Sequence, residues 1–256
     1  MAKVDTVAEN YYRPLQRAEK SGHVLFWLIS ILSIVALFVD KASYPMAADV
    51  VQIALIVCVI LFFVQGQVLK LYLFPRAEDK RRQQLLSNSF GVALTHEETV
   101  GYYNNDQTNP IKRLAASVME SAFFTNAITR LMLPAERAKT FGYLVVYLVA
   151  VLNRSSDLAF LAVAAQALFG GEIVARWLRL EWLRFRSEQA FNNFNRLFVA
   201  RPAFTKAVPQ CEALDLFSFY ESTKSTAAML LSQKVFDQHN PRLTQEWEQI
   251  RGKLGV

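Results

Sequence analysis

The sequence predicts an all-α integral membrane protein with two helical hairpins, a helical cytosolic insert between them and a helical cytosolic C-terminal region. Three observations predict this class. Two long apolar runs lie close together near the start of the chain, at residues 23–39 and 50–68. Arginine and lysine cluster at the outer edges of these runs, as is typical of the cytoplasmic side of membrane helices. In contrast, 20% of the 256 residues are charged, so large parts of the chain must meet water.

The first hairpin is assigned to residues 22–73, and residues 1–21 form a polar cytosolic segment before it. Each run approaches the roughly 20 residues that a helix needs to cross hydrocarbon. Backbone groups in lipid must be hydrogen-bonded within their own segment, so both runs are expected to be helices. The turn between them contains Pro45 and one lysine, whereas both outer flanks carry several basic residues. The turn is therefore expected outside the cell and both flanks inside.

A cleaved signal peptide explains the first apolar run less well. About twenty mainly polar residues precede the run, and no small-residue cleavage site follows closely, because Asp40 and Lys41 come next. The run is therefore interpreted as a retained membrane helix.

A cytosolic insert is assigned to residues 74–139. Glycine, asparagine and proline predict loops and turns over residues 88–110. A helix with one buried face should follow, because its apolar residues have helical spacing. Pro134 is expected to end or kink this helix. The apolar positions are Ile111, Leu114, Ala115, Val118 and Ala122.

The second hairpin, residues 140–177, has a weaker signal. Its apolar runs, residues 141–152 and 158–171, are shorter than an ordinary membrane span. However, the tight polar turn "NRSSD" separates them, and basic residues flank them as they flank the first hairpin. Two further membrane crossings are the favoured interpretation, and a soluble or interfacial hairpin is the alternative.

The C-terminal region, residues 178–256, is expected to be helical and cytosolic. A stripe of apolar residues with three- and four-residue spacing should face other helices, within the chain or across an oligomer. Farther on, one helix is predicted over residues 214–239, and another with Asn240 as N-cap and Pro241 at its first position. The stripe consists of Leu180, Leu183, Ala190, Phe194 and Leu197.

Polar residues at membrane depth are costly and often functional, so they are candidate site residues. Their helical angles do not place them on one stripe, so the sequence does not define a pore. Glu172 and Arg176 are four residues apart, which predicts a neutralised pair at the inner membrane edge. The candidates are Gln52, Gln65, Gln166, Glu172 and Arg176.

A basic block follows the first hairpin and consists of Arg76, Lys80, Arg81 and Arg82. The favoured interpretation is contact with anionic lipid headgroups, which also sets the topology. The alternative is binding of an acidic cytosolic ligand, such as a nucleotide messenger or a nucleic acid.

Residues that could carry catalysis are not arranged in any recognisable pattern. The three histidines lie far apart, and the segment "HEET" lacks the second histidine of a zinc-protease motif. Cys58 and Cys211 show neither metal-ligand spacing nor a disulfide framework. The protein is therefore expected not to be an enzyme and to need no metal or cofactor.

The layout of the chain and three short stretches resemble a known family. The stretches are "NSFGVAL", "GYYNN", and the segment from "YESTKS" to "EQIRGKL". The chain resembles the SMODS-associated four-transmembrane, pore-forming effectors of bacterial anti-phage defence, and also the retron-linked membrane effectors. This resemblance implies an oligomer in the bacterial inner membrane, with both termini cytoplasmic, that damages the membrane of the infected cell. The implied trigger is cytosolic: a nucleotide second messenger, a defence-system protein or a ribonucleoprotein. The alternative is a membrane-anchored helical scaffold or sensor without pore activity.

Overall fold

In the computed structural model of the protein, residues 4–39, 42–97, 99–100, 105–152, 173–200 and 203–256 are described. They are almost entirely helical, which confirms the all-α part of the predicted class. Among these residues the one extended pairing is a two-residue antiparallel contact between β1, Val4–Asp5, and β2, Thr99–Val100.

The chain forms two compact units, which are described separately. The hairpin unit comprises Arg13–Phe74 and Glu136–Trp177. The core unit comprises Met1–Tyr12, Pro75–Ala135 and Leu178–Val256.

Two long apolar helices pack on each other in the hairpin unit. They are α1, Arg13–Phe38, and α2, Pro45–Val68. A π-helical turn at Ala8–Tyr12 precedes α1, which begins nine residues earlier than the predicted boundary at residue 22. Pro45 lies in the first turn of α2, where its missing N–H removes no intrahelical hydrogen bond.

A second π-helical turn, Leu69–Leu73, joins α2 to α3, which spans Phe74–Phe90. Pro75 follows directly and cannot donate a hydrogen bond to the carbonyl of Leu71, which its ring also crowds. A π-helical turn is one way in which a helix absorbs such a break without ending. The helical path therefore runs without interruption from Pro45 to Phe90.

The end of α3 has a left-handed cap. Gly91 has a φ of +67°, and its N–H donates to the carbonyl of Ser87 at 2.9 Å. Glycine suits this conformation because it has no Cβ. The predicted loop thus starts three residues later than expected from residue 88.

Helix α4, Pro110–Leu152, is longer than any helix predicted from the sequence. It starts with Pro110 at its first position, and the side chain of Asn109 accepts a hydrogen bond from the N–H of Lys112 at 3.0 Å. Pro134 does not end the helix, which continues for 18 further residues to Leu152. The predicted insert helix and the first part of the predicted second hairpin are therefore one helix.

Three more helices complete the described structure: α5, Ile173–Val199; α6, Ala207–Ala227; and α7, Gln233–Leu254. Their apolar faces meet α3 and the first half of α4 in the core of the core unit. Aromatic rings fill much of this core, and the Phe123 ring lies 5.8 Å from those of both Phe191 and Trp247. The core includes Leu85, Leu114, Val118, Met119, Phe194, Phe198, Tyr220 and Trp247.

The two predicted C-terminal helix boundaries are wrong. Helix α6 ends at Ala227, and the next residue, Ala228, has a left-handed φ of 44°. Helix α7 then starts after Ser232, whose hydroxyl accepts a hydrogen bond from the N–H of Val235 at 3.3 Å. Pro241 therefore lies inside α7 rather than at a helix start. Serine and asparagine are comparably favourable N-caps, so the local sequence alone does not decide between Ser232 and Asn240.

Candidate functional site

The apolar surface of α1 and α2 is uncovered by the described part of the chain. Both helices are long and apolar enough to span a membrane, and only 6% of each apolar window is buried. Large side chains such as Trp27, Ile53 and Phe63 are more than half exposed. Exposed apolar faces of this extent are typical of surfaces that contact lipid or another protein.

A polar clamp joins α1 and α2 near the basic side of the hairpin. The Gln65 amide donates hydrogen bonds to the carbonyl of Ala18 and to the Ser21 hydroxyl, the latter at 2.9 Å. Gly22 leaves room for this side chain, because a Cβ added there would lie 3.0 Å from the Gln65 Nε2. Gln65 therefore makes interhelical hydrogen bonds, as polar groups in membrane helices often do.

Arg176 connects three helices of the hairpin unit. Its guanidinium lies 2.8 Å from a carboxylate oxygen of Glu19 on α1 and 3.3 Å from one of Glu136 on α4. The predicted partner, Glu172, lies outside the described residues. The structure thus identifies two carboxylates, distant in sequence, that the four-residue spacing could not indicate.

The N-terminal segment, residues 4–12, docks onto the core unit. Its backbone pairs with β2, Val7 is fully buried, and the Asn10 amide donates to the Glu97 carboxylate at 3.2 Å. The side chain of Asp5 accepts hydrogen bonds from the N–H of Ala8 at 3.0 Å and from Arg81 at 2.9 Å. A segment expected only to be polar and cytosolic is therefore held by contacts along its length.

Four side chains from three segments form a largely buried cluster, here called the ionic network: Tyr12, Glu78, Glu221 and Lys224. The Tyr12 hydroxyl donates to Glu78 at 2.6 Å. The Lys224 ammonium, on α6, lies 3.0 Å from the other oxygen of Glu78 and 2.8 Å from Glu221. This cation therefore links α3 to α6 and, through Glu78, to the N-terminal segment.

Aromatic and cationic groups surround the ionic network. The Arg81 guanidinium lies 5.3 Å from the centre of the Tyr12 ring, and the Lys224 ammonium lies 5.3 Å from that of the Tyr220 ring. The Tyr220 hydroxyl in turn is hydrogen-bonded to that of Thr125 on α4 at 2.8 Å. These contacts extend the ionic network to α4.

The electrostatics of the ionic network favour its charged state. Burial opposes ionisation of Glu78, but the Lys224 ammonium and the Tyr12 hydroxyl outweigh burial and lower the pKa of Glu78. Burial likewise opposes the charge on Lys224, yet Glu78 and Glu221 raise the pKa of Lys224 well above its ordinary value. Burial, followed by the Glu78 charge, raises the pKa of Tyr12, so this phenol stays a donor. These shifts favour the charged forms of both Glu78 and Lys224.

The stability of the core unit should depend on pH through Glu78. Because its pKa is lowered on folding, its contribution is present above the unfolded pKa of about 4.3 and is lost as pH falls through the folded pKa. In that window the loss is at most about 1.4 kcal/mol per pH unit. We expect Glu78→Gln to flatten the acid slope of the free energy of unfolding, measured by denaturant titration in detergent. Glu248→Gln, on the exposed face of α7, should leave the slope unchanged; equal slopes for wild type and Glu78→Gln would contradict the prediction.

The basic block of α3 does not act as one surface. Arg81 is 11% exposed and paired with Asp5, whereas Arg82 is 46% exposed and pairs with the neighbouring Asp79. Lys80 donates to Gln83, and the Arg76 guanidinium lies 5.4 Å from the centre of the Tyr11 ring. Arg81 therefore serves the fold, while Arg82 remains accessible to an anionic headgroup or ligand.

All five residues of the apolar stripe on α5 are buried within a single chain. Ala190, Phe194 and Leu197 belong to the core of the core unit. Of the two predicted alternatives, packing within the chain and packing across an oligomer, the structure shows the first. The five residues are Leu180, Leu183, Ala190, Phe194 and Leu197.

The remaining candidates are spread along the chain. Gln52 is exposed on α2, whereas Gln166 and Glu172 lie outside the described residues. Within the part of the chain that is described, no group of three or more metal-ligating side chains comes together.

Sequence reasoning missed Glu78, Glu221 and Lys224 as members of one cluster. The spacing of Glu221 and Lys224 is a usable signal for a pair on a helix. Their connection to Glu78 and Tyr12 depends on tertiary structure, and no periodicity indicates it.

Comparison with protein families gives no match to this chain. Comparison with curated proteins gives none. Comparison with solved structures also gives none. The function is therefore argued from the chain itself and from the resemblance described above.

Proposed function

We propose that the protein is a membrane effector of a bacterial anti-phage defence system, which permeabilises or depolarises the inner membrane when a cytosolic trigger releases it. The observation that carries the proposal is the exposed apolar surface of α1 and α2, since only 6% of each apolar window is buried. Helix α3 continues this hairpin directly into the core unit. One helical stretch, Pro45–Phe90, therefore contributes residues to both units.

The end of α4 supports a second membrane hairpin. Beyond Lys139, several large apolar side chains of α4 are again exposed, such as Phe141 at 69% and Leu152 at 79%. Arg176 and Glu136 pair where this apolar part of α4 begins, as expected at a membrane edge. Under the proposal the chain crosses the membrane four times, with both termini in the cytoplasm and anionic lipid around the basic flanks.

An anchored scaffold or sensor without pore activity is the second candidate, and the surface of α2 favours it. Gln52 and Gln65 are separated by about 140° around the helix axis. The Gln65 amide moreover already donates a hydrogen bond to Ser21 on α1. A water-filled pore would need a polar face from another helix or a rearranged oligomer.

Membrane damage separates the two candidates. Cells expressing the protein at low level are challenged with phage, and influx of an impermeant DNA dye and membrane potential are recorded. The effector should give influx or depolarisation on challenge, whereas a scaffold should leave both signals at the level of empty cells. Ile56→Arg is a negative control, because an arginine at the centre of α2 costs about 2.5–3.5 kcal/mol of insertion free energy. Ile56→Leu is its matched control and should behave as wild type.

Topology is testable by cysteine labelling in a variant with Cys58 and Cys211 replaced by serine. Ser43→Cys should react with an impermeant maleimide in intact cells, because the turn before α2 lies outside. His96→Cys, 82% exposed in the core unit, should react only after lysis. The reverse pattern would overturn the proposed orientation. Ser155→Cys should react from outside if the second hairpin crosses the membrane; reaction only after lysis would reduce the protein to two spans.

A further inference from the structure

Two members of the ionic network, Tyr12 and Glu78, are close in sequence to the two ends of the first hairpin. Tyr12 immediately precedes Arg13, the first residue of α1. Glu78 lies in the second turn of α3, which continues from α2 through the π-helical turn. One ammonium, that of Lys224, holds Glu78 directly and Tyr12 through Glu78. The chain segments that lead into α1 and out of α2 are thus fastened to the same residue of α6.

The contacts depend on one another. Glu78 accepts from Tyr12 with one oxygen and faces Lys224 with the other, and Lys224 also neutralises Glu221. Removing Lys224 takes from two largely buried carboxylates the cation that lies 3.0 Å from Glu78 and 2.8 Å from Glu221, and a buried charge that loses its partner is strongly unfavourable. The ionic network is therefore stable when it is complete and unfavourable when it is partly broken.

The helix that carries Lys224 ends in a strained position. The N–H of Ala228 donates to the carbonyl of Lys224 at 3.1 Å, and Ala228 has a φ of 44°. Residues with a Cβ rarely adopt this left-handed conformation. The residues from Ala228 to Ser232, before α7, are not helical. Strain of this kind often marks segments that switch between two arrangements.

We propose that the ionic network is an autoinhibitory latch, in which the Lys224–Glu78 pair holds the two hairpin ends in the inactive arrangement and separation of the pair activates the protein. The proposal rests on the proposed effector function and names its regulation. A trigger that shifts the end of α6 breaks the pair with Glu78, frees Tyr12 and Glu78 from their common anchor, and so releases α1 and α2.

Charge reversal tests the latch. Lys224→Glu places a third carboxylate beside Glu78 and Glu221, which should shift the protein from the inactive towards the active arrangement. Dye influx in unchallenged cells should therefore rise roughly tenfold over wild type. The double variant Lys224→Glu with Glu78→Lys restores an opposite-charge pair but leaves the Tyr12 hydroxyl without its carboxylate acceptor. Influx should therefore fall from the Lys224→Glu level to within a few-fold of wild type. Lys234→Glu makes the same charge change on the exposed face of α7 and should have no effect.

Tyr12→Phe provides a milder variant that keeps the ring beside Arg81 and removes only the hydroxyl donated to Glu78. In cells without phage, Tyr12→Phe should raise dye influx a few-fold, while the amount of the variant in the membrane stays at the wild-type level. This variant therefore tests the latch even if Lys224→Glu is degraded. Wild type challenged with phage reports on the effector function separately. If challenged wild type shows influx and neither Lys224→Glu nor Tyr12→Phe raises the unchallenged level, the latch is wrong and the effector function stands. If challenged wild type shows no influx or depolarisation, the effector function fails, and the latch fails with it.

Discussion

Replacing Phe194 with aspartate should unfold the core unit, and not only dissociate an oligomer. The Phe194 side chain is fully buried on α5, among aromatic and aliphatic neighbours from other helices. Deleting a buried phenylalanine typically costs about 3–5 kcal/mol, and an unpaired carboxylate in its place adds several more. Domains typically have a free energy of unfolding of about 5–15 kcal/mol, so this one substitution should remove most of the stability of the core unit.

The measurement is limited proteolysis and circular dichroism of the protein in detergent. Phe194→Asp should expose the core unit to proteolysis and lower its helical signal. Phe185→Asp is the matched control, because Phe185 lies on the same helix and is 58% exposed. It should leave both signals unchanged. A folded, protease-resistant Phe194→Asp variant that has only changed its particle size would show that the stripe mediates assembly instead.

Periodicity predicted the buried faces of the helices well, because burial follows from 3.6-residue spacing whatever the partner is. All five positions of the stripe on α5 are buried, as are four of the five on the insert helix, where Ile111 is partly buried against the core. Helix boundaries were harder to predict. Pro134 was expected to end or kink its helix, and it does not end it. Pro241 was expected to start a helix but lies inside α7. Packing along the rest of a long helix can offset the hydrogen bond that a proline removes.

The candidate site was predicted only in part, for a physical reason. Gln65, Arg176 and the basic block stand out because a polar group beside an apolar run is unusual in any sequence. Their partners, such as Glu19 for Arg176, lie far away in the chain. The contacts of the N-terminal segment could not be predicted from the sequence either, because Tyr12 and Lys224 are ordinary residues in polar stretches. Charge pairing across tertiary structure leaves no periodic signal.

Arg81 and Arg82 are adjacent arginines, but their substitution should affect stability differently. Arg81 pairs with Asp5, and their side chains are only 11% and 16% exposed. Arg81→Gln leaves the Asp5 carboxylate without its cation, which should cost about 2–3 kcal/mol, somewhat less than for a fully buried pair. It also removes the cation from the face of the Tyr12 ring. The N-terminal segment should therefore loosen, and the denaturation midpoint of the core unit should fall clearly.

Arg82→Gln is the matched control for stability and the test case for lipid. Its pair with Asp79 is more than 40% exposed on both sides, so its loss should change the free energy of unfolding by at most about 1 kcal/mol. Near an anionic surface each such charge contributes roughly 1 kcal/mol, which salt screens. Arg82→Gln should therefore weaken binding of the detergent-solubilised protein to anionic vesicles at low salt and leave its denaturation midpoint nearly unchanged.

Replacing Lys80, Arg81 and Arg82 together would combine both effects. A fold left intact by this triple change would therefore contradict the assignment of Arg81 to the fold. Equal losses of stability in the two single variants would show instead that the basic block acts as one unit and that burial does not separate its members.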